Sequence, residues 1–432
     1  MDESIFRSYD IRGVYPRDIN EGVVRQIGKA CANLFPGGKV IVGRDVRIGS
    51  PELSKALIQG LLSNPRFEVV DIGVCTTPLF YFAVNISGAA GGVMVTASHN
   101  PSEWNGLKVV GKNAVMLGGK VIKDALKKVP ENETGEKGQY KKEDFFSRYK
   151  DFYLRKFNIL KPLSLVCDFG NGAAGSVFPE ILKAFKNIKL YSMHEVPDGN
   201  FPGRSPNPLE PGALDGLKEE VKRRRADIGV AFDADGDRAF FVDSKGKDLP
   251  PQAIVYLLTG LGEKSLVVDI SMFHTLKTME YPGVFYESPV GTYFVKEKVR
   301  KEGADVGAEY SGHYYFKEFF NSDSGVFAVL KVLETMSALP SSEEFFEELP
   351  PCLVHHWNVQ VKDPTEVIRG ISKNYEGMEG VEKDEMDGVA FRGKDWFFGM
   401  RASNTEPLLR MYAGAKAPEK LESLIKASHA GS

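Results

Sequence analysis

"KVIVGRDVRIGSPELSKALIQGLLSNPRFEVVDIG", residues 39–73, decides the fold class. Its first seven residues (39–45) form an apolar run of strand length. The stretch 50–63 switches to helical spacing. Ser50 is its predicted N-cap, Pro51 sits at the first helical position, and Glu52 and Leu53 fall in the first turn. "FEVVDIG" (67–73) then reads as a second strand, and "GVMVTAS" (92–98) as a third that ends at Ser98. The same cadence returns in "LSLVCDFGNGAAGSVFPEILKAF" (163–185), "IKLYSMH" (188–194) and "ADIGVAFDADGDRAFFVD" (226–243). It returns again in "SLVVDIS" (265–271), "GVFYESP" (283–289) and "ADVGAEYSGHYYF" (304–316). Strand, loop and helix in this order predict α/β modules with largely parallel sheets. After about residue 350 the pattern becomes a shorter α+β segment ending in a helix, "PEKLESLIKASH". The polar stretch "ENETGEKGQYKKED" (131–144) reads as a linker. The expected division is 1–140, 141–246, 247–349 and 350–432: three similar α/β domains with mixed, largely parallel sheets, plus a smaller C-terminal α+β domain.

The chain has 432 residues, too many for one core. Hydrophobic residues make up 42% and charged residues 26%, as in soluble globular proteins. Lys and Arg number 55 against 58 Asp and Glu, a formal charge of −3, so no basic field exists to hold nucleic acid. The basic run at 222–227, "KRRRAD", reads as the solvated end of a helix. Cys31, Cys75, Cys167 and Cys352 are far apart and form no zinc pattern, which suits a reduced, cytoplasmic protein. The start of the chain lacks an apolar secretory core, and the apolar run 81–97 is broken by Asn85, Ser87 and glycines. Neither a signal peptide nor a membrane span is expected.

"AFDADGDRAFF" (231–241) carries the strongest chemistry. Asp233, Asp235 and Asp237 alternate in one loop between apolar runs, and such carboxylates repel one another unless a cation lies between them. Hard oxygen donors, few in number, suit Mg²⁺. A rival reading takes the loop as the DxDG signature of aspartate-nucleophile phosphatases, with Asp233 as nucleophile. "GNGAAG" (170–175) fits a dinucleotide fingerprint after a strand, with Glu195 further on; it fits equally a tight turn that needs glycine. "GAEYSGHYYF" (307–316) would place Glu309, Ser311 and His313 on one face if extended, as partners for sugar hydroxyls. "RASNTEPLLR" (401–410) groups Arg401, Ser403, Asn404 and Thr405, donors suited to a phosphate dianion. In "TASHNPSEWNGLKVV" (96–110), Ser98 has His99 beside it. Neighbours in an extended chain point to opposite sides, so His99 is not expected to act as base for Ser98.

In order along the chain, "YDIRG", "GRD", "TASHNP", "DADGDR", "GAEYSGH" and "RASNTEP" resemble the α-D-phosphohexomutase superfamily, most closely its phosphomannomutase/phosphoglucomutase branch. The resemblance implies a central cleft between four domains, with Ser98 as carrier of a phosphoryl group. It implies Mg²⁺ on Asp233, Asp235, Asp237 and a phosphoserine oxygen of Ser98, with Arg238 as a second cation. Lys108 is the implied acid/base, assisted by Arg12 and His313. Glu309 and Ser311 would read the sugar. Arg401, Ser403, Asn404 and Thr405, with Tyr9, would complete the substrate site. The implied substrates are hexose phosphates, mannose or glucose, exchanged between the 1- and 6-positions through a hexose 1,6-bisphosphate. The implied assembly is a monomer or homodimer.

The chain departs from its relatives at Ser271 and Thr292, where basic residues are common, and at Arg204 and Ser205, where a His pair stands. A phosphoglucosamine mutase, an aspartate-nucleophile phosphatase and a dinucleotide-dependent oxidoreductase are the alternative readings.

Overall fold

A computed structural model describes residues 2–7, 9–129, 136–402 and 408–429. They form two compact units. One comprises Met1–Pro250 with Ser311–Pro340; the other comprises Pro251–Tyr310 with Ser341–Ser432.

The first unit opens with a sheet whose centre is parallel: Gly38–Arg44 lies between Phe67–Val74 and Gly91–Val95. Trp104–Gly111 then joins antiparallel, and Ile11–Val14 pairs with it at that edge. Helices Glu21–Ala30 and Ser50–Leu61 pack closely because glycines meet at the crossing. A Cβ on Gly60 would lie 2.2 Å from the Arg25 carbonyl, and one on Gly28 would lie 2.6 Å from the Leu57 carbonyl. Ile27, Leu53, Leu57, Val40, Val42, Val93 and Val109 fill the core between helices and sheet.

Two local expectations change. Ser50 is the first helical residue, not the cap; Gly49, at φ 86°, holds the cap position. The Ser50 hydroxyl instead donates to Asp45 Oδ1 at 2.7 Å, because a buried carboxylate competes for it. The expected linker 131–144 is partly sheet: Gln139–Lys142 is an exposed edge strand parallel to Phe67–Val74. Residues 131–135 lie outside the described residues.

A second sheet follows in the order Asp248–Leu249, Ala239–Asp243, Ile228–Phe232, Leu163–Asp168, Ile188–Met193. Its last three strands are parallel. Ile228–Phe232 and Ala239–Asp243 pair antiparallel, with Phe232 opposite Ala239. The two apolar runs around the aspartates are therefore the arms of a hairpin, and residues 233–238 are its loop. The run at 222–225 is exposed at the end of helix Asp215–Arg224. The third α/β module divides between the units. Its strands Tyr314–Phe316 and Ser322–Asp323 and its helix Gly325–Ala338 belong to the first, where Phe327 packs on Tyr153, Phe157 and Phe316.

In the second unit, Leu266–Asp269 lies parallel between Phe285–Ser288 and Val306–Ala308. The C-terminal sheet is antiparallel, in the order Leu353–Gln360, Leu408–Ala415, Trp396–Ala402, Val389–Arg392, Glu382–Asp384. Helix Pro364–Ser372 contributes Ile371 to the core beneath it. Among the described residues no helix is long and apolar enough to cross a membrane.

Candidate active site

Ser98 and the aspartate loop meet in the first unit. Ser98 lies three residues past strand Gly91–Val95 and is 1% exposed. Its φ is 49°, a left-handed conformation that costs a residue with a side chain about 1–2 kcal/mol. Its Oγ donates to Asp233 Oδ2 at 3.0 Å. His99 Nδ1 lies 3.4 Å from the same Oγ. The premise of side chains on opposite sides does not hold, because the chain is not extended at Ser98: its backbone is left-handed and the two neighbouring side chains lie close together. Burial, then the positive charges of Arg238, Arg12 and His313, hold the His99 imidazole well below the usual histidine range, so it is neutral beside Ser98.

Asp233, Asp235 and Asp237 are essentially inaccessible to solvent. Gly236, at φ 72°, lets the loop turn so that one carboxylate oxygen from each of the three lies within 4.8 Å of the others. Asp233 Oδ1 accepts from the backbone N–H of Gly236 (3.1 Å) and Arg238 (3.2 Å). Asp235 Oδ2 accepts from Thr77 Oγ1 (2.6 Å) and Thr96 Oγ1 (3.3 Å), while Asp235 Oδ1 is buried without a hydrogen-bond partner. Burial and repulsion by Asp237 and Asp235 raise the Asp233 carboxyl well above the carboxylate range. Burial opposes ionisation of Asp237 too, but Lys108 and His313 outweigh it and hold that carboxyl low. Clustered hard oxygens, one of them an orphaned acceptor, are what a divalent cation such as Mg²⁺ takes.

Lys108, on strand Trp104–Gly111, donates to Asp235 Oδ2 at 2.7 Å and to Asp237 Oδ2 at 2.5 Å. Burial works against its charge, but the two carboxylates prevail and keep the ammonium protonated well above the ordinary lysine range. His313 Nε2 lies 3.3 Å from Arg238 Nε and 3.4 Å from Asp237 Oδ1, so it either accepts from the arginine or donates to the aspartate. Its Nδ1 is 2.9 Å from Ser311 Oγ. Arg12, on Ile11–Val14, is held by Asp10 at 2.7 Å and donates to Asn100, two residues past Ser98. Tyr9 is half-buried in the bend before that strand.

The extended run expected over Glu309, Ser311 and His313 is not formed, although Ser311 and His313 lie together at 2.9 Å. The segment is a turn, with Gly312 at φ 85°, not an extended strand. Glu309 belongs to the second unit and Ser311 begins the first unit's return. Glu309 is 2% exposed and accepts from Gly291 N–H (3.2 Å) and Thr292 Oγ1 (3.5 Å). One residue earlier, Val290 N–H donates to Asp387 Oδ2 (3.0 Å), and the Arg401 guanidinium faces the same carboxylate at 3.7 Å. The loop Val290–Thr292 thus ties the expected sugar reader to the expected phosphate cation within one unit. Ser403, Asn404 and Thr405 lie outside the described residues. Of the departures, Thr292 rests on Glu309, and Ser271 Oγ lies 3.1 Å from His356 Nε2, with that imidazole stacked on Tyr310.

The Arg204 side chain is turned inward, 6% exposed. Its Nε donates to Asp168 Oδ2 (2.9 Å), His194 Nδ1 approaches the other oxygen, Oδ1, of that carboxylate (3.0 Å), and the Arg204 Nη2 donates to the carbonyl of Phe232 (2.6 Å), the residue before Asp233. The glycines of "GNGAAG" serve close packing. A Cβ on Gly172 would lie 2.6 Å from the Ala234 carbonyl, and one on Gly175 would lie 2.0 Å from that of Glu195. Sequence reasoning passed over Thr77, Thr96, Arg47, Asp387 and the proximity of His99. Arg47 left a local signal in the "GRDVR" run, and Thr96 and His99 in "TASHNP"; Thr77 and Asp387 left none.

With this geometry in hand, four matches to protein families cover most of the chain. The descriptions are phosphoglucomutase/phosphomannomutase alpha/beta/alpha domain I at residues 3–136, domain II at 143–246, domain III at 254–352, and the C-terminal domain at 357–429. A protein named "Phosphohexose mutases" from Xanthomonas campestris pv. campestris is 36% identical over 425 residues, covering 94% of each chain. A phosphomannomutase from Escherichia coli K12 is 34% identical, covering 94% of this chain and 93% of its own. The X-ray structure of a phosphoglucomutase/phosphomannomutase family protein from Burkholderia thailandensis matches at TM-score 0.88 and 29% identity, covering 100% of this chain and 97% of the other.

Proposed function

This chain belongs to the phosphoglucomutase/phosphomannomutase family, and from that premise we propose that it interconverts hexose 1-phosphates and 6-phosphates, of glucose and mannose, with Ser98 as phosphoryl carrier. One observation carries the reading: Ser98 Oγ sits 3.0 Å from Asp233, in a buried site that also gathers Asp235, Asp237 and Lys108.

Phosphoryl transfer asks a protein for positioning and charge stabilisation more than for covalent chemistry. Mg²⁺ held by Asp233, Asp235, Asp237 and a phosphoserine oxygen would supply charge neutralisation at the transferring group. The chain's own residues do the rest. The bond from Ser98 Oγ to phosphorus breaks as a sugar hydroxyl oxygen takes the phosphoryl group. The hydroxyl's proton needs an acceptor, and His313 Nε2, poised between Arg238 and Asp237, is the candidate. Lys108, held protonated, is the acid able to give a proton to the departing serine oxygen. Arg12 and Arg238 add fixed positive charge. The hexose 1,6-bisphosphate then reverses its orientation and returns its other phosphate to Ser98. Glu309 and Ser311 contact sugar hydroxyls. Arg401, with Ser403, Asn404, Thr405 and Tyr9, holds the phosphate that is not transferred.

Intact mass and turnover of the full-length protein test this together. Wild type should carry one phosphoryl group, stable in acid as a seryl ester is. Ser98→Ala should lose that mass and lower kcat by at least about a thousandfold with an unchanged circular dichroism spectrum. An acid-labile acyl phosphate would instead support the phosphatase reading with Asp233 as nucleophile. Near-normal turnover by folded Ser98→Ala would overturn the proposal.

A further inference from the structure

Behind the serine loop lies a group that the proposed chemistry does not use. Arg47, 1% exposed, sits in the turn after strand Gly38–Arg44. Its Nη2 donates to the carbonyls of Ser98 (2.6 Å) and Asn100 (2.5 Å). Its Nη1 donates to those of Pro101 (2.7 Å) and Trp104 (3.1 Å). Four carbonyls, three from the serine loop and one from the first residue of the strand that follows it, therefore converge on one guanidinium. Asp45 Oδ2 balances its charge from 3.3 Å, with both side chains fully buried. Asp45 is itself fixed: its N–H donates to Val95 O (3.0 Å), and its Oδ1 accepts from Ser50 Oγ and from the N–H of Arg47. The Phe201 ring covers the guanidinium with its centroid 5.1 Å away.

A core ion pair has no need of this arrangement. A segment that turns four carbonyl oxygens inward must find donors for them, and only arginine offers donors in a planar fork. One of the four belongs to Ser98, whose left-handed backbone persists only where its surroundings over-determine it. The φ of Ser98 sets the direction of its Cβ and hence where Oγ points. Thr96 Oγ1 holds the Ser98 N–H from one side at 2.8 Å, and Arg47 holds its carbonyl from the other.

We propose that Arg47 is a positioning residue for phosphoryl transfer: its guanidinium, clamped on the carbonyls of residues 98, 100, 101 and 104, enforces the Ser98 conformation that aims Oγ at Asp233. The inference rests on the reading of Ser98 as phosphoryl carrier.

The test uses full-length Arg47→Lys and, as a second variant, Asp45→Asn, which keeps the volume of the anchor and removes its charge. Three quantities are measured: the melting temperature, steady-state kcat and KM on glucose 1-phosphate, and the single-turnover rate at which glucose 1,6-bisphosphate phosphorylates Ser98, followed by intact mass. A misplacement near 1 Å costs about a hundredfold in rate. Arg47→Lys should therefore lower both kcat and the phosphorylation rate by about a hundredfold, with KM within about threefold of wild type because no substrate contact is removed. Asp45→Asn should move the same two rates in the same direction by about tenfold. A melting temperature that falls while both rates per folded molecule stay at wild type would overturn the inference, leaving Arg47 a structural residue. If Arg47→Lys does not fold, Asp45→Asn decides by the same criterion. Absence of phosphate on wild-type Ser98 would be a failure of the carrier reading itself, visible before any variant is made.

Discussion

Replacing Gly172 by alanine separates two readings of "GNGAAG". Gly172 has φ −83° and ψ −177°, a conformation open to any residue. On backbone grounds alone Gly172→Ala should stabilise the fold by about 0.4–1 kcal/mol, through the unfolded chain. Contact reverses the sign. The added Cβ would lie 2.6 Å from the Ala234 carbonyl oxygen and 2.9 Å from its Cα, so the loop must retreat until these distances pass 3.0 Å. The obstacle is backbone, pinned by the hydrogen bond from Ala173 N–H to that same carbonyl at 2.8 Å, and no rotamer change relieves it. Overpacking of this kind costs about 1–3 kcal/mol, so the net loss should be about 1–2 kcal/mol. In a unit of this size that lowers the melting temperature by about 2–6 °C. Ala234 stands between Asp233 and Asp235, so shifting it by roughly half an ångström should lower kcat about ten- to a hundredfold. Calorimetry and steady-state kinetics are the assays, with Gly370→Ala as control. Gly370 lies in helix Pro364–Ser372 with nothing within 4 Å of an added Cβ. The control should be stabilised by about 0.5–1 kcal/mol. A Gly172→Ala protein with wild-type kcat, or one stabilised like the control, would refute the packing argument. Nicotinamide binding to wild type that Gly172→Ala abolishes would favour the oxidoreductase alternative.

Asp233→Asn should weaken Mn²⁺ binding, titrated by its paramagnetic signal, about ten- to a hundredfold. Because the folded Asp233 carboxyl is raised above 3.8, its stabilising contribution is present below that pH and is lost as pH rises through the folded value. The metal-free variant should therefore melt above metal-free wild type at neutral pH. Asp269, 2% exposed and capping helix Ile270–Thr278, is raised from 3.8 to about 6, mainly by burial. Its contribution is full below 3.8 and gone above about 6, so Asp269→Asn should gain stability relative to wild type across that window; a pH-independent difference would count against the shift. Glucose 1-phosphate and mannose 1-phosphate, epimers at C2, should have kcat/KM values within about a hundredfold of each other. The galactose compound should be rejected far more strongly, because Glu309 would lose a partner and stay buried; equal use of galactose and glucose would remove Glu309 and Ser311 from their proposed roles.

Local pattern alone determined a good part of this molecule. The alternation of apolar runs with helical spacing specifies three α/β modules and a different C-terminal one, because strand and helix periodicities are written within a few residues. The aspartate loop was equally legible: two apolar arms around alternating carboxylates can hardly be other than a hairpin with a charged tip. Tertiary structure decided what those segments do to one another. Ser98 meets Asp233 across 135 residues of chain, and Lys108 meets Asp237 across 129, and no periodicity encodes such a pairing. It arises because two sheets present their loops at the same place. The left-handed turn that brings His99 to Ser98 was illegible for the same reason. A serine does not adopt that conformation by preference; its N–H donates to Thr96 Oγ1 two residues back, and its carbonyl accepts from Arg47, a donor that arrives from 51 residues away. The extended run expected over Glu309, Ser311 and His313 failed because the chain turns at Gly312, and a glycine in sequence does not say whether its freedom will be used. Composition and spacing fix which elements form; the conformation of the reactive residue is fixed by the buried charges and carbonyls that close around it only when the chain has folded.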